Sequence, residues 1–463
     1  MKIREQVISF GGVIILALSL PILLKLLNSV TRLLVGAEGR LAAIAVETDH
    51  PLGPMPQPWR ALAQGGEELK TFLDTTGPQV AAAKPQYIRI DHIYDGFNVV
   101  SRQGEQLTFN WTELDAVVNK MLAVGAKPFF SLSYMPPAIS SGDIVAEPSN
   151  YDEWALVVQK TIEHYSGEKG IENVYYEVWN EPDLFGGWKM GGRKDYKKLY
   201  IYSSRGAQAA RGVRPFKFGG PATTALYKNW MDNFFPFILD NKLRLDFFSW
   251  HHYGLDIEKY TEDVDNVQRW LDSHPYFAHV EKIVSEMGPS SDKAEVNNSK
   301  VGAAHAIASA RELLYEVSYG FNFSIKDAPN STGGWGLLTD TGAVKPRYNA
   351  IAFLSRLGGE RLGLTGEGTW VRAIAAQDGK TYQVLVVNYD PKGTHSEVVP
   401  VTFINLQPGT FTIKQTGLGA KTTSEQVATD AAVLQYQVAM SPNSVELLEL
   451  TPLTSTAEAT TSQ

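Results

Sequence analysis

Two glutamates stand out by where they fall relative to apolar runs. Val174-Tyr175-Tyr176-Glu177-Val178 reads as a strand and leads into Trp179-Asn180-Glu181-Pro182, while Lys282-Ile283-Val284-Ser285 reads as a second strand that ends on Glu286. Carboxyl groups at the C-terminal ends of two separate buried strands suit cleavage of a glycosidic bond: one protonates the leaving oxygen and the other attacks or assists at the sugar carbon. Their environments would drive them to opposite roles. Asn-Glu-Pro is also an ordinary exit from a strand into a helix, because proline is tolerated in the first helical turn. The elements that position the two side chains therefore decide between these readings.

The chain has 463 residues, enough for one large domain and an accessory module. Apolar residues make up 44% and charged residues 20%, so a substantial core can form. A formal charge of −8, from 42 Lys+Arg against 50 Asp+Glu, argues against a nucleic-acid partner. Cysteine is absent, which excludes disulfides, thiolate nucleophiles and cysteine-ligated metals. Aromatics reach 11%, and several fall in turn-rich stretches after strands, where they can stack on sugar rings as well as fill a core.

Lys2 and Arg4 precede an uncharged run from Val7 to Leu24, which as a helix would reach about 27 Å, marginally a bilayer span. Residues 1–36 are read as an uncleaved signal anchor. Val35-Gly36-Ala37 offers a small-residue cleavage site that would instead release a secreted protein. The expected location is the cell membrane, single-pass, with the catalytic domain outside the cytoplasm.

From Leu41 onward apolar strands alternate with amphipathic helices, the pattern of a parallel sheet covered by helices. Strands are expected at Leu41–Val46, Tyr87–Ile90, Pro128–Leu132, Val174–Trp179, Phe216–Phe218, Leu245–Trp250, Lys282–Ser285 and Phe321–Ile325. Trp154, Val157, Val158, Ile162 and Tyr165 share one helical face, and residues 111–124, 195–211, 230–241 and 300–318 read similarly. This fits an α/β protein built on a (β/α)8 TIM barrel over residues 37–357. A doubly wound sheet lacks support, since no dinucleotide or Walker loop follows an early strand. Beyond Leu357, strands at Thr381–Tyr389, Val398–Ile404, Phe411–Lys414 and Val445–Leu450 alternate with polar turns. They predict a C-terminal antiparallel β-sandwich over residues 358–452, followed by a disordered Thr/Ser/Ala-rich tail at 453–463.

Several motifs resemble glycoside hydrolase family 39, of the clan of retaining (β/α)8 glycosidases. They are Tyr175–Asp183, Gly-Gly-Pro-Ala-Thr at 219–223, Phe-Phe-Ser-Trp-His-His-Tyr at 247–253, Ile-Val-Ser-Glu at 283–286 and Gly-Gly-Trp-Gly-Leu-Leu-Thr at 333–339. They come in the family's order and cover most of the barrel. The resemblance implies that Glu181 is the general acid/base and Glu286 the nucleophile, about 5–5.5 Å apart as retention requires. It implies that Asn180 bonds the sugar 2-hydroxyl, that Tyr253 donates to the nucleophile, and that His251 lies beside the acid/base. Arg89 either orients the nucleophile or forms an ion pair inside the barrel. An adjacent His251-His252 pair points to opposite faces of a strand, so one at most is expected at the barrel mouth.

The chain departs from the family at two places. Where the family has a sugar-binding histidine, this chain has Asp91, with His92 one residue later. Where the family has a tryptophan platform on strand eight, it reads Asn322-Phe323-Ser324-Ile325-Lys326, so Phe323 or Trp335 would substitute. Lys326 beside a pocket would favour an anionic sugar; the competing reading is a solvated strand-end lysine. Trp188 and Tyr134 are candidates to line a leaving-group subsite. The expected function is retaining hydrolysis of β-glycosidic bonds in an oligo- or polysaccharide, an envelope polysaccharide or exopolysaccharide, with no cofactor or metal. The alternatives are a carbohydrate-binding protein and a transglycosylase on the same barrel.

Overall fold

The computed structural model describes residues 39–66, 69–330, 334–419 and 421–453. The apolar run Val7–Leu24 and the tail from 454 lie outside them, so the expected signal anchor and disordered end fall outside the described residues. Among the described residues no helix is long and apolar enough to cross a membrane.

Eight parallel strands close into a barrel: Ala61–Gln64, Tyr87–Ile90, Lys127–Leu132, Val174–Val178, Phe216–Thr223, Phe247–Tyr253, Glu281–Gly288 and Tyr319–Phe323. Side chains alternate between the two faces, as the strand period of two demands. Ile88, Ile90, Phe130, Leu132, Tyr176, Val178, Phe248 and Trp250 face the surrounding helices. Ala61, Ala63, Tyr87, Phe129, Tyr175, Phe247, Ile283 and Phe321 fill the interior. Further along the same inward faces the residues turn polar, with Arg89, Ser131, Glu177, Ser249 and His251 all buried. The barrel is thus an apolar plug below and a charged layer above, with the charges toward the C-terminal end where barrel enzymes carry their sites.

Gly219 permits one close approach in this wall. A Cβ there would sit 2.0 Å from the Phe247 carbonyl oxygen, so no larger residue fits between the fifth and sixth strands.

One strand falls elsewhere than its pattern suggested. The residues from Leu41 to Val46, expected to open the barrel, lead into Ile44–Pro54, which pairs antiparallel with Glu360–Thr365 and parallel with Glu397–Ile404. The barrel opens instead with the four-residue Ala61–Gln64. The C-terminal module is accordingly a nine-stranded sheet that recruits an N-terminal strand, and it is antiparallel except for that one parallel pair.

The sheet's central strands, Val371–Asp378 and Thr381–Asn388, are buried on both faces. Ala373, Ala375, Val384, Val386 and Leu448 pack into its own core. The alternate residues Ile374, Ala376, Leu385, Val387 and Leu447 join the barrel core. This explains the uninterrupted apolar run Val384–Val387, which a half-exposed strand would not carry. The helix Lys300–Glu312 links the two parts through Arg311 to Glu367 and Glu312 to Arg372, the latter at 3.2 Å.

Candidate active site

The fourth barrel strand ends at Val178, and the next residues leave the ordinary backbone regions. Trp179 has φ +71° and Glu181 φ +45°. Positive φ is costly for side-chain-bearing residues and collects where surrounding structure enforces it, often at active sites. Two anchors hold the turn here. The Trp179 indole donates to the Phe185 carbonyl (2.9 Å), and the Glu181 amide donates to the Ala222 carbonyl (3.0 Å). Trp179 stays in the outer core while Asn180 and Glu181 are carried to the barrel mouth.

Glu286 reaches the mouth by a different device. Ile283 pairs with Ser249 and Val284 with Trp250, but the next pair is Glu286 with His251. Ser285 is the extra residue of a bulge. Strict alternation from the inward Ile283 would point Glu286 outward; one inserted residue reverses it. Without the bulge the carboxylate would lie among the helices.

Arg89 organises what the strands deliver. Its guanidinium is 1% exposed and donates to Glu177 through Nε (2.8 Å), to Glu286 Oε1 through Nη1 (2.7 Å) and to Asn180 Oδ1 through Nη2 (2.8 Å). It therefore fills both of the roles considered for it, interior ion pair and partner of Glu286. Its planar fork serves three acceptors at fixed angles, which a lysine cannot do. The Tyr253 hydroxyl donates to the other oxygen, Glu286 Oε2, at 2.9 Å. Burial pushes Glu286 upward from the ordinary glutamate range; His251 and Arg89 pull it down, and burial prevails.

His251 is fully buried, with Nδ1 2.9 Å from Glu181 Oε1 and 3.6 Å from Glu286 Oε2. Burial works against its charge, but Glu286 and Glu181 outweigh that and raise its pKa above the usual histidine value. An oxygen of each glutamate and this nitrogen all lie within 4.8 Å of one another. Carboxylate oxygens this close suit a retaining pair, whose carboxyl groups stand about 5–5.5 Å apart, better than an inverting pair, which needs about 6.5–9.5 Å to seat a water.

Asn180 donates to the Tyr134 hydroxyl (2.8 Å) and to Asp91 Oδ2 (3.4 Å). Tyr134 is 2% exposed and thus serves to orient Asn180 more than to offer a broad platform. Asp91 and His92 both line the cleft. His92 sits at φ +51°, pairs with Asp95 at 2.7 Å and packs edge-on against Tyr134. Phe323, Lys326 and Trp335 line the far wall. Lys326 is almost entirely buried there, with its backbone bonded to Gln64, so it is not a solvated strand end.

Trp188 lies elsewhere than expected. It is completely buried and packs edge-on against Trp179, 5.4 Å between centroids, so it supports the Glu181 turn from behind and does not line the cleft. Leu184, Phe185 and Tyr227 line it instead. His252 lines the cleft and pairs with Asp263 at 2.7 Å, while His251 is fully buried against the two glutamates. Glu177, the second carboxylate on Arg89, was missed as well. Its register, two residues after the inward Tyr175, was the available signal.

The far wall is itself braced by buried charge. Lys345 donates to both oxygens of Asp327 (2.9 and 2.8 Å), and Asp327 Oδ1 accepts from the Gly334 and Gly336 amides. Arg347 holds the same loop through the Trp335 carbonyl at 2.9 Å.

The model of glycosyl hydrolases family 39 matches residues 42–396. The chain belongs to that family. As a family 39 member it is a retaining O-glycosyl hydrolase. It is 29% identical to a beta-xylosidase of Geobacillus stearothermophilus over 355 residues, 66% of this chain and 68% of that protein. It is 26% identical to a beta-xylosidase of Caldicellulosiruptor saccharolyticus over 401 residues, 77% of each. Its fold resembles that of a monomeric beta-xylosidase from Caulobacter crescentus CB15, with a TM-score of 0.77 at 20% identity, over 89% of this chain and all of that one.

Only the ionised form of Glu286 could attack a sugar carbon, so its raised pKa has a consequence for pH. As pH falls, Glu286 takes up a proton at a higher pH than a free glutamate would, and kcat/KM is lost on that limb. Tyr253→Phe removes a donor that favours the ionised form. The acidic limb of the kcat/KM profile should move to higher pH in that variant. An unmoved limb with lowered kcat throughout would mean that Tyr253 does not tune Glu286.

Proposed function

We propose that Glu286 attacks the anomeric carbon of a β-linked sugar while Glu181 protonates the departing oxygen. The resulting glycosyl-enzyme ester is then hydrolysed by a water that Glu181 deprotonates. The observation that carries this reading is the spacing of the two carboxylates, within 4.8 Å of each other and of His251. Their surroundings favour the same division. Glu286 lies deeper, held by Arg89 and Tyr253 at a fixed angle. Glu181 is more open to the cleft, where a leaving group enters and water follows.

His251 lies between them. When Glu181 gives up its proton, the imidazole N–H offsets the new charge beside the ester. Asn180, fixed by Arg89 and Tyr134, bonds the 2-hydroxyl of the sugar undergoing substitution, a contact that strengthens in the transition state.

The substrate is a β-linked oligo- or polysaccharide. The relatives are named beta-xylosidases, which makes β-xylosides the first class to try. The apolar run Val7–Leu24 supports an envelope or exopolysaccharide substrate met outside the cytoplasm. The test is to incubate the full-length protein and its Glu286→Ala variant with plant and bacterial polysaccharides and aryl glycosides, following products by mass and their anomeric form by NMR. Release that depends on Glu286 and begins as the β-anomer supports the reading. Release by both proteins alike, or first as the α-anomer, would sink it.

A further inference from the structure

We propose that the cleft carries a leaving-group shelf, made by Leu184, Phe185 and Tyr227, that holds more than one unit of a glycan chain beyond the scissile bond. This rests on the glycosidase reading above and specifies what kind of substrate it takes: a chain, not a disaccharide or a small aryl glycoside.

Exposure gives the first reason. Among the described residues, four aromatic side chains are prominently exposed, and three of them, Phe185, Tyr227 and Trp335, line this cleft. Leu184 beside them is 60% exposed. Apolar groups left in water at a concave surface mark ligand grooves. A pyranose ring presents C–H groups on its faces, which aromatic rings bind well.

Topology says on which side the shelf lies. Leu184 and Phe185 follow Glu181 by three and four residues, and Tyr227 comes from the loop after the adjoining fifth strand. Trp335 belongs to the loop after the eighth strand, opposite the fourth in the closed barrel. The shelf is thus on the side of the acid that the leaving group departs past. The cleft has a volume of about 1510 Å³, larger than the roughly 300–1,000 Å³ typical for one small ligand.

The shelf is also rigid. The Thr224 amide donates to Asp183 (3.0 Å), its hydroxyl bonds Asp183 and lies 2.9 Å from the Tyr227 hydroxyl, tying the two loops together. Phe185 rests edge-on against Tyr134, 5.6 Å between centroids. A surface fixed before binding spends less on ordering when the chain arrives.

The test uses full-length protein, β-1,4-xylo-oligosaccharides of two to six units and an aryl β-xyloside. We expect kcat/KM to rise about tenfold or more from the dimer to the longer chains, the gain of one or two stacking contacts. In a Leu184→Ala/Tyr227→Ala double variant the ratio of kcat/KM for the hexamer to that for the aryl xyloside should fall by a similar factor. Length-independent kcat/KM, or an unchanged ratio, overturns the shelf. Absence of any turnover speaks against xylosides, and the shelf is then read by binding. Glu286→Ala protein is applied to arrayed β-linked glucan, mannan and galactan oligomers of two to six units. Binding that tightens with length and weakens in the double variant supports the shelf; binding that is absent or indifferent to length overturns it.

Discussion

Glu286→Ala should lower turnover of every substrate by about 10⁴-fold or more, the scale seen when a covalent nucleophile is removed, and the protein should keep its fold. The structure adds an expectation about stability. One buried cation, Arg89, stands between two buried carboxylates, Glu177 and Glu286. Burial already works against ionised Glu286. Removing its carboxylate leaves Arg89 paired with Glu177, so the guanidinium keeps a buried counter-charge. The melting temperature should hold or rise while activity disappears, the trade-off expected where a site is built at the expense of stability. Thermal denaturation alongside the activity assay checks this. A collapse in melting temperature would overturn the stability expectation, and the lost activity would then follow from unfolding.

Glu181→Ala divides substrates by their leaving groups. Proton donation is worth about 10²–10⁴-fold where the departing oxygen is basic and little where it is not. Aryl glycosides with good leaving groups should keep most of their kcat/KM, and natural glycans should lose a factor in that range. The second half-reaction also loses its base, so the glycosyl-enzyme accumulates and added azide, which needs no deprotonation, should speed turnover and give a β-glycosyl azide. The fold should tolerate the change, because Glu181 bonds the rest of the site through His251 and its backbone amide remains bonded to Ala222. Equal loss on both substrate types with no azide product would remove Glu181 from the acid/base role.

How much of this was legible beforehand follows from range. Local features carry local information. The strand-like runs at Tyr87–Ile90, Val174–Val178 and Lys282–Ser285 announce buried strands, and the helical faces between them announce the covering layer. A glutamate at a strand end needs no tertiary knowledge to be noticed. The first barrel strand escaped because Ala61-Leu62-Ala63-Gln64 is short and its inward residues are small, leaving little pattern to detect. Leu41–Val46 reads as a strand and overlaps the observed Ile44–Pro54 at its start, but that strand's partners lie more than 300 residues away, and pairing across that distance leaves no trace in its own periodicity.

The order of motifs, the two carboxylates, the alternation of strands and helices and the absence of cysteine were therefore determined by the sequence alone, since each is a property of residue type or of neighbours within a turn or two. Which way Glu286 points was decided only by the fold, because a single inserted residue at Ser285 reverses a strand's faces and the insertion exists only relative to the neighbouring strand. The fold likewise decided that Arg89 binds both Glu177 and Glu286, that Trp188 backs the Glu181 turn from the core, and that Leu184, Phe185 and Tyr227 form the open wall. An aromatic residue in a loop has the same letter whether it faces core or cleft; only packing assigns it to one of them.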